Sequence, residues 1–142
     1  PAWRTGMTLV DSNVLLDVVT DCEAWADWSQ EQLEQAASSG PLVINDVIYA
    51  EISTRYATVE GVDAMLRNLD IDLAAIPRTA LFLASKAYLR YRGAGGLRTG
   101  VLADFFIGAH AAVEQLPLLT RDARRYQTHF PTVELITPVH EQ

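Results

Sequence analysis

The stretch Met7–Val19, MTLVDSNVLLDVV, decides the fold. Thr8, Leu9 and Val10 form a short apolar run of the kind that makes a buried strand, and Val14, Leu15, Leu16, Val18 and Val19 supply the apolar side of a helix. Asp11, Ser12 and Asn13 between them predict a turn that carries a charge to the strand's carboxyl end. Taken alone, an Asp in such a turn is a helix cap or a turn former. The rest of the chain gives it a second reading.

Working outward, the same alternation recurs. Leu42, Val43 and Ile44 predict a second strand, and Val47, Ala50 and Thr54 follow at helical spacing. Thr58 is placed to cap a helix through Val62, Met65, Leu66 and Leu69. Ile71 to Ile76 predicts a third strand ended by Pro77, and Leu81, Ala84, Tyr88 and Tyr91 a helix starting from Arg78. Arg92 to Gly100, RGAGGLRTG, reads as a loop. Ala103 to Val113 is helical by composition, Leu118 to Thr120 is a fourth strand and Glu134 to Thr137 a fifth. Trp25, Trp28, Leu33 and Ala36 mark an early amphipathic helix, with the Trp rings as core. Strands alternating with helices call for an α/β fold: a central parallel sheet of four or five strands with helices on both faces. In such sheets ligands sit beyond the carboxyl ends of the strands. No glycine-rich phosphate loop follows a strand, which argues against a nucleotide cofactor.

The bulk properties fit one domain. A chain of 142 residues with 49% hydrophobic and 20% charged residues can close a single core. Residues 1–6, PAWRTG, are expected to be an extension outside the fold, with 7–142 forming the domain. Those first residues lack the apolar block of a secretory signal, and no apolar run approaches a membrane span. Cys22 is the sole cysteine, which excludes an internal disulfide and suits a reducing, cytoplasmic setting. The net charge of −7 is unusual for a binder of phosphates. The positive charge is nearly all arginine, however, with clusters at Arg90, Arg92 and Arg98 and at Arg121, Arg124 and Arg125. Asp17, Asp21, Glu23, Asp27, Glu31 and Glu34 are read as a solvated helix face.

Four acids fall at one edge of this scaffold. Asp11 ends the first strand, Asp104 opens an apolar helix, Asp122 follows the fourth strand, and Glu51 lies about two turns into the helix after the second strand. Each has an ordinary explanation: Asp104 as a helix cap, Glu51 as the partner of Arg55. Together they repel, and something positive must offset them. No His or Cys set has zinc spacing, so a hard divalent cation, Mg²⁺ or Mn²⁺, is the expected counter-charge. On this reading Asp11 holds a metal, while Ser12 and Asn13 shape the turn and support it.

The same residues resemble a known family. LVDSNVLLDV, NDVIYAEIS, LADFFIGAHA and LLTRDARRYQTHFP are similar, in order, to the four motifs of PIN domains and among them to the VapC toxins of bacterial toxin–antitoxin pairs. The likeness runs from Met7 to about Pro138. It implies that Asp11, Glu51, Asp104 and Asp122 are the catalytic and metal-binding acids, with Ser12 and Asn13 as polar support; Ser12 replaces the commoner Thr. It implies a ribonuclease using Mg²⁺ or Mn²⁺, often a homodimer, held inactive by a cognate antitoxin protein. Arg98, Arg121, Arg124 and Arg125 are then candidates for contacts to RNA phosphates. His110 is expected to be packed or hydrogen-bonded within its helix, and His129 and His140 to lie at the surface or terminus. Two other readings compete. Aspartyl-phosphate chemistry would want a second Asp where Asn13 stands and a lysine beyond the lone Lys86. The other is a PIN domain that binds or processes RNA outside a toxin–antitoxin pair, or that binds RNA or a partner without cutting; all four acids being present weighs against the non-cleaving form.

Overall fold

The computed structural model describes residues 6–96 and 101–138. Its elements run β1 (Thr8–Val10), α1 (Ser12–Val19), α2 (Ala26–Ser39), β2 (Leu42–Ile44), α3 (Asp46–Ser53), α4 (Val59–Asn68), β3 (Ile71–Leu73), α5 (Arg78–Gly93), α6 (Leu102–Glu114), β4 (Leu118–Leu119), α7 (Arg124–Gln127) and β5 (Leu135–Ile136). The five strands form one parallel sheet in the order β3-β2-β1-β4-β5. The chain thus steps outward from β1 to β3, then returns to the other side of β1 at β4. Among the helices, α1 packs on α2 and α3, α3 on α4, and α6 on α5 and α7, with α3 also meeting α6. The reversal between β1 and β4 opens a crevice at their carboxyl ends, the usual ligand position in such sheets.

The apolar runs behave as their burial demands. Leu9, Val10, Ile44, Leu118 and Leu119 are fully buried, and Val14, Leu15, Ile48 and Ile52 pack on them from α1 and α3. A second cluster joins α5 to α6 through Ala80, Ala84, Ala87, Phe105 and Ala109. Caps fix where helices begin. Asn45 accepts a hydrogen bond from Ile48 N at 2.9 Å and Thr58 accepts one from Gly61 N at 3.0 Å, each satisfying a first-turn donor.

Several sequence expectations are corrected in detail. Helix α1 begins at Ser12, so the turn after β1 shrinks to Asp11, which caps the helix by accepting from Ser12 N. Strand β3 stops at Leu73 rather than Ile76: it is an edge strand, and its last ladder bond runs from Ala74 N to Ile44 O at 2.8 Å. The buried face of α5 is the alanine row Ala80, Ala84 and Ala87, whereas Leu81 turns partly to solvent, because small residues let α5 approach α6 closely. The short helix α7 had no counterpart in the sequence reading. The loop from Arg92 is in part helical, since α5 continues to Gly93, and residues 97–100 lie outside the described residues.

Candidate functional site

Asp11 stands at the crevice with none of its surface exposed. The parallel register that pairs Val10 with Leu119 sets Asp11 beside Thr120, the next residue along β4. Thr120 Oγ1 donates to Asp11 Oδ2 at 2.9 Å, and the Tyr126 hydroxyl, on α7, donates to the same oxygen at 2.7 Å. Oδ1 accepts from Ser12 N at 2.8 Å. A buried carboxylate is costly unless hydrogen-bonded, and here both oxygens are served. Burial pushes the Tyr126 hydroxyl far above its ordinary pKa, and the negative charges of Asp11 and Asp104 push it further, so it stays a donor.

Thr120 is a junction. Its Oγ1 also accepts from Asp122 N at 3.1 Å and from Asn13 Nδ2 at 3.3 Å, while Asn13 Oδ1 accepts from Arg121 N at 3.2 Å. The T-x-D spacing is therefore mechanical: the Thr locks onto Asp11 and positions the backbone of the Asp two residues on.

Glu51 reaches the same edge from the second turn of α3, where Ser12 Oγ donates to its Oε1 at 3.0 Å. Its pKa is raised, chiefly by burial and then by the charges of Asp11 and Asp104; the Ser12 hydrogen bond and the Arg125 charge oppose the rise. The alternative of a Glu51–Arg55 pair is not realised, because Ser12 takes that carboxylate and Arg55 is exposed. Asp104 sits in the first turn of α6, which Val101 caps, so Asp104 is not the N-cap. Arg125 bridges two acids: Nη1 lies 3.7 Å from Asp104 Oδ1, and Nε donates to Asp122 Oδ2 at 3.0 Å. Burial works to lower the Arg125 pKa, but Asp104, Asp11 and Asp122 together raise it, so it stays charged.

The four acids thus share one edge as two linked pairs, Asp11–Glu51 through Ser12 and Asp104–Asp122 through Arg125. Among the described residues, no three His, Cys, Asp or Glu side chains are gathered tightly enough to form a ready metal cage. The donor set nonetheless suits a hard cation: it is all oxygen, its charges already strain against one another, and Mg²⁺ keeps several waters rather than demanding a full protein cage.

The arginines divide. Arg121 is committed elsewhere: Nε and Nη2 lie 2.7 and 3.1 Å from the two carboxylate oxygens of Asp17. Its guanidinium also sits over the Trp25 ring, at 5.1 Å from the centroid. Asp17 is a correction to the solvated acidic face, because it is buried and also accepts from Ser29 Oγ at 2.8 Å. Arg124 is exposed beside the acids, and Arg98 lies outside the described residues. His110 is buried, as its packing role requires, and its Nδ1 meets Nδ2 of Asn45, the N-cap of α3, at 3.0 Å. His129 lies half-exposed and packs on Phe105 with ring centroids 4.9 Å apart, and His140 is outside the described residues. Thr120, Tyr126 and Asp17 were assigned no role in the site from the sequence. A threonine immediately beyond a buried strand that pairs with the Asp-bearing strand was the available signal for the first.

The PIN domain family model matches residues 8–131, and the chain belongs to that family. Chains of solved complexes share its fold. VapBC2 from Rickettsia felis, bound to a DNA fragment from their promoter, aligns with a TM-score of 0.71 at 15% identity, covering 92% of this chain and 98% of that one. A toxin–antitoxin complex from Klebsiella pneumoniae gives 0.66 at 19% identity, covering 94% and 99%. VapBC-1 from nontypeable Haemophilus influenzae gives 0.69 at 14% identity, covering 92% and 97%. No curated protein matches the sequence.

Proposed function

We propose that this PIN domain is a divalent-cation-dependent endoribonuclease, acting as the toxin of a toxin–antitoxin pair. The observation that carries the reading is the convergence of Asp11, Glu51, Asp104 and Asp122 on one sheet edge, with Glu51 feeling the charges of two of the others. These four residues would hold Mg²⁺ or Mn²⁺. When bound, such a cation polarises a phosphodiester and acidifies a water. The chain's own groups do the rest. Thr120 and Tyr126 fix Asp11 Oδ2, Ser12 fixes Glu51, and Arg124 offers a free charge to a phosphate at the rim. No histidine is needed as a base, and buried His110 is tied to Asn45.

The net charge of −7 fits this reading, since cations at the acids would reverse the local field. An antitoxin partner is supported by the fold shared with chains of VapBC complexes, and the family resemblance extends our reading to a cytoplasmic homodimer. The test is cleavage of linear and structured RNA with Mg²⁺ or Mn²⁺, with and without EDTA, and with DNA as competitor. We expect cation-dependent cuts in RNA that Asp11→Asn abolishes. Cleavage that persists in EDTA, or in Asp11→Asn, would overturn the metal role; tight RNA binding without cutting would favour a non-cleaving binder.

A further inference from the structure

Arg125 forms ion pairs with two of the four acids, Asp104 and Asp122. Its neighbour Tyr126 bonds Asp11, so two consecutive residues of a four-residue helix serve three of the carboxylates. The Arg125 side chain keeps 36% of its surface exposed, while Asp104 is more enclosed at 15%. A positive group held there does what a cation would do: it neutralises acids that would otherwise repel.

We propose that Arg125 is a positioning residue that stands in for the divalent cation, holding Asp104 and Asp122 together until the cation displaces it. This rests on the cation reading of the site. Each incoming ion must then compete with a tethered charge already hydrogen-bonded to Asp122 and paired with Asp104. The displaced guanidinium is released at the rim, beside exposed Arg124. The arrangement sets the affinity for the cation low, and it protects the folded chain from its own acid cluster when no ion is present. Arg124, with the same charge and adjacent in sequence but pairing with none of the four acids among the described residues, separates this specific bridge from a general field effect.

Mn²⁺ alone, titrated calorimetrically into the wild-type chain and into Arg125→Gln, Arg125→Lys and Arg124→Gln, tests the idea. Thermal melts with and without Mn²⁺ accompany each titration. Arg125→Gln should bind Mn²⁺ about tenfold more tightly than wild type, melt earlier without it and gain more on its addition. Arg124→Gln should move affinity by much less, and Arg125→Lys should stay near wild type because the charge remains. Equal affinities for Arg125→Gln and Arg124→Gln, or weaker binding by Arg125→Gln, overturn the stand-in role while leaving the nuclease reading intact. If neither wild type nor Arg125→Gln takes up Mn²⁺, both readings fall together.

Discussion

Asp11 is the residue on which the site turns, and its surroundings alter what can be done to it. Both carboxylate oxygens accept hydrogen bonds, so an amide at this position would turn a donor toward donors. Tyr126→Phe is the gentler probe. Removing a 2.7 Å hydrogen bond to a buried charge should destabilise the fold by about 1.5–3 kcal/mol, read from the urea midpoint at constant slope. Glu51 answers to pH. Its pKa in the fold is raised above the ordinary 4.5 by burial and by Asp11 and Asp104. The folded state therefore holds this proton more tightly than the unfolded chain does. The associated stabilisation is full below the ordinary value and is lost as pH rises through the raised one. Glu51→Gln, which keeps an acceptor for Ser12, should be the more stable protein at pH 7, with the gap closing toward about pH 4. Urea unfolding at both pH values checks this, and an unchanged gap would contradict it. Three of the acids were legible in the sequence because each stands at a strand end or near a helix start, and Glu51 because it follows the second strand by about two helical turns. Their partners were not, because Tyr126 meets Asp11 across 115 residues and only tertiary packing brings them together.

At the level of elements, the pair Asp17–Arg121 ties α1 to the segment following β4, and Ser29 adds α2 to the same knot. Breaking it from one side strands a buried carboxylate. Arg121→Ala should cost about 2–3 kcal/mol, less than a fully enclosed pair because the arginine is 30% exposed. A double-mutant cycle with Asp17→Asn should return a coupling energy of more than about 1 kcal/mol. Additive losses would mean that the two residues act independently. This knot also shows why pattern reading stumbled. Asp17 lies in an acidic run that looks solvated, but its place on α1, just past buried Val14 and Leu15, turns it inward. Strand and helix identity was readable from apolar runs and spacing for every element except α7. Boundaries were less so. The end of β3 depends on its position at the sheet edge, the buried row of α5 depends on α6, and α7 has four residues, too few for any periodicity to register.

For the molecule as a whole, the strand order makes β1 the hub, flanked by β2 and β4 in the middle of the sheet. Backbone bonds to β1 from both sides should open only with global unfolding. Hydrogen exchange should therefore find the Leu9 and Asp11 amides, bonded to Pro117 O and Leu119 O, among the slowest, and those at the end of α5 much faster. Comparable rates in the two regions would deny β1 that place. The hub also dictates an order of events. Thr120 and Tyr126, which complete the pocket around the Asp11 carboxylate, are synthesised more than a hundred residues after it. A nascent chain consequently carries its first acid without the means to aim it. Any partner that must restrain this protein has the interval between those two segments in which to arrive.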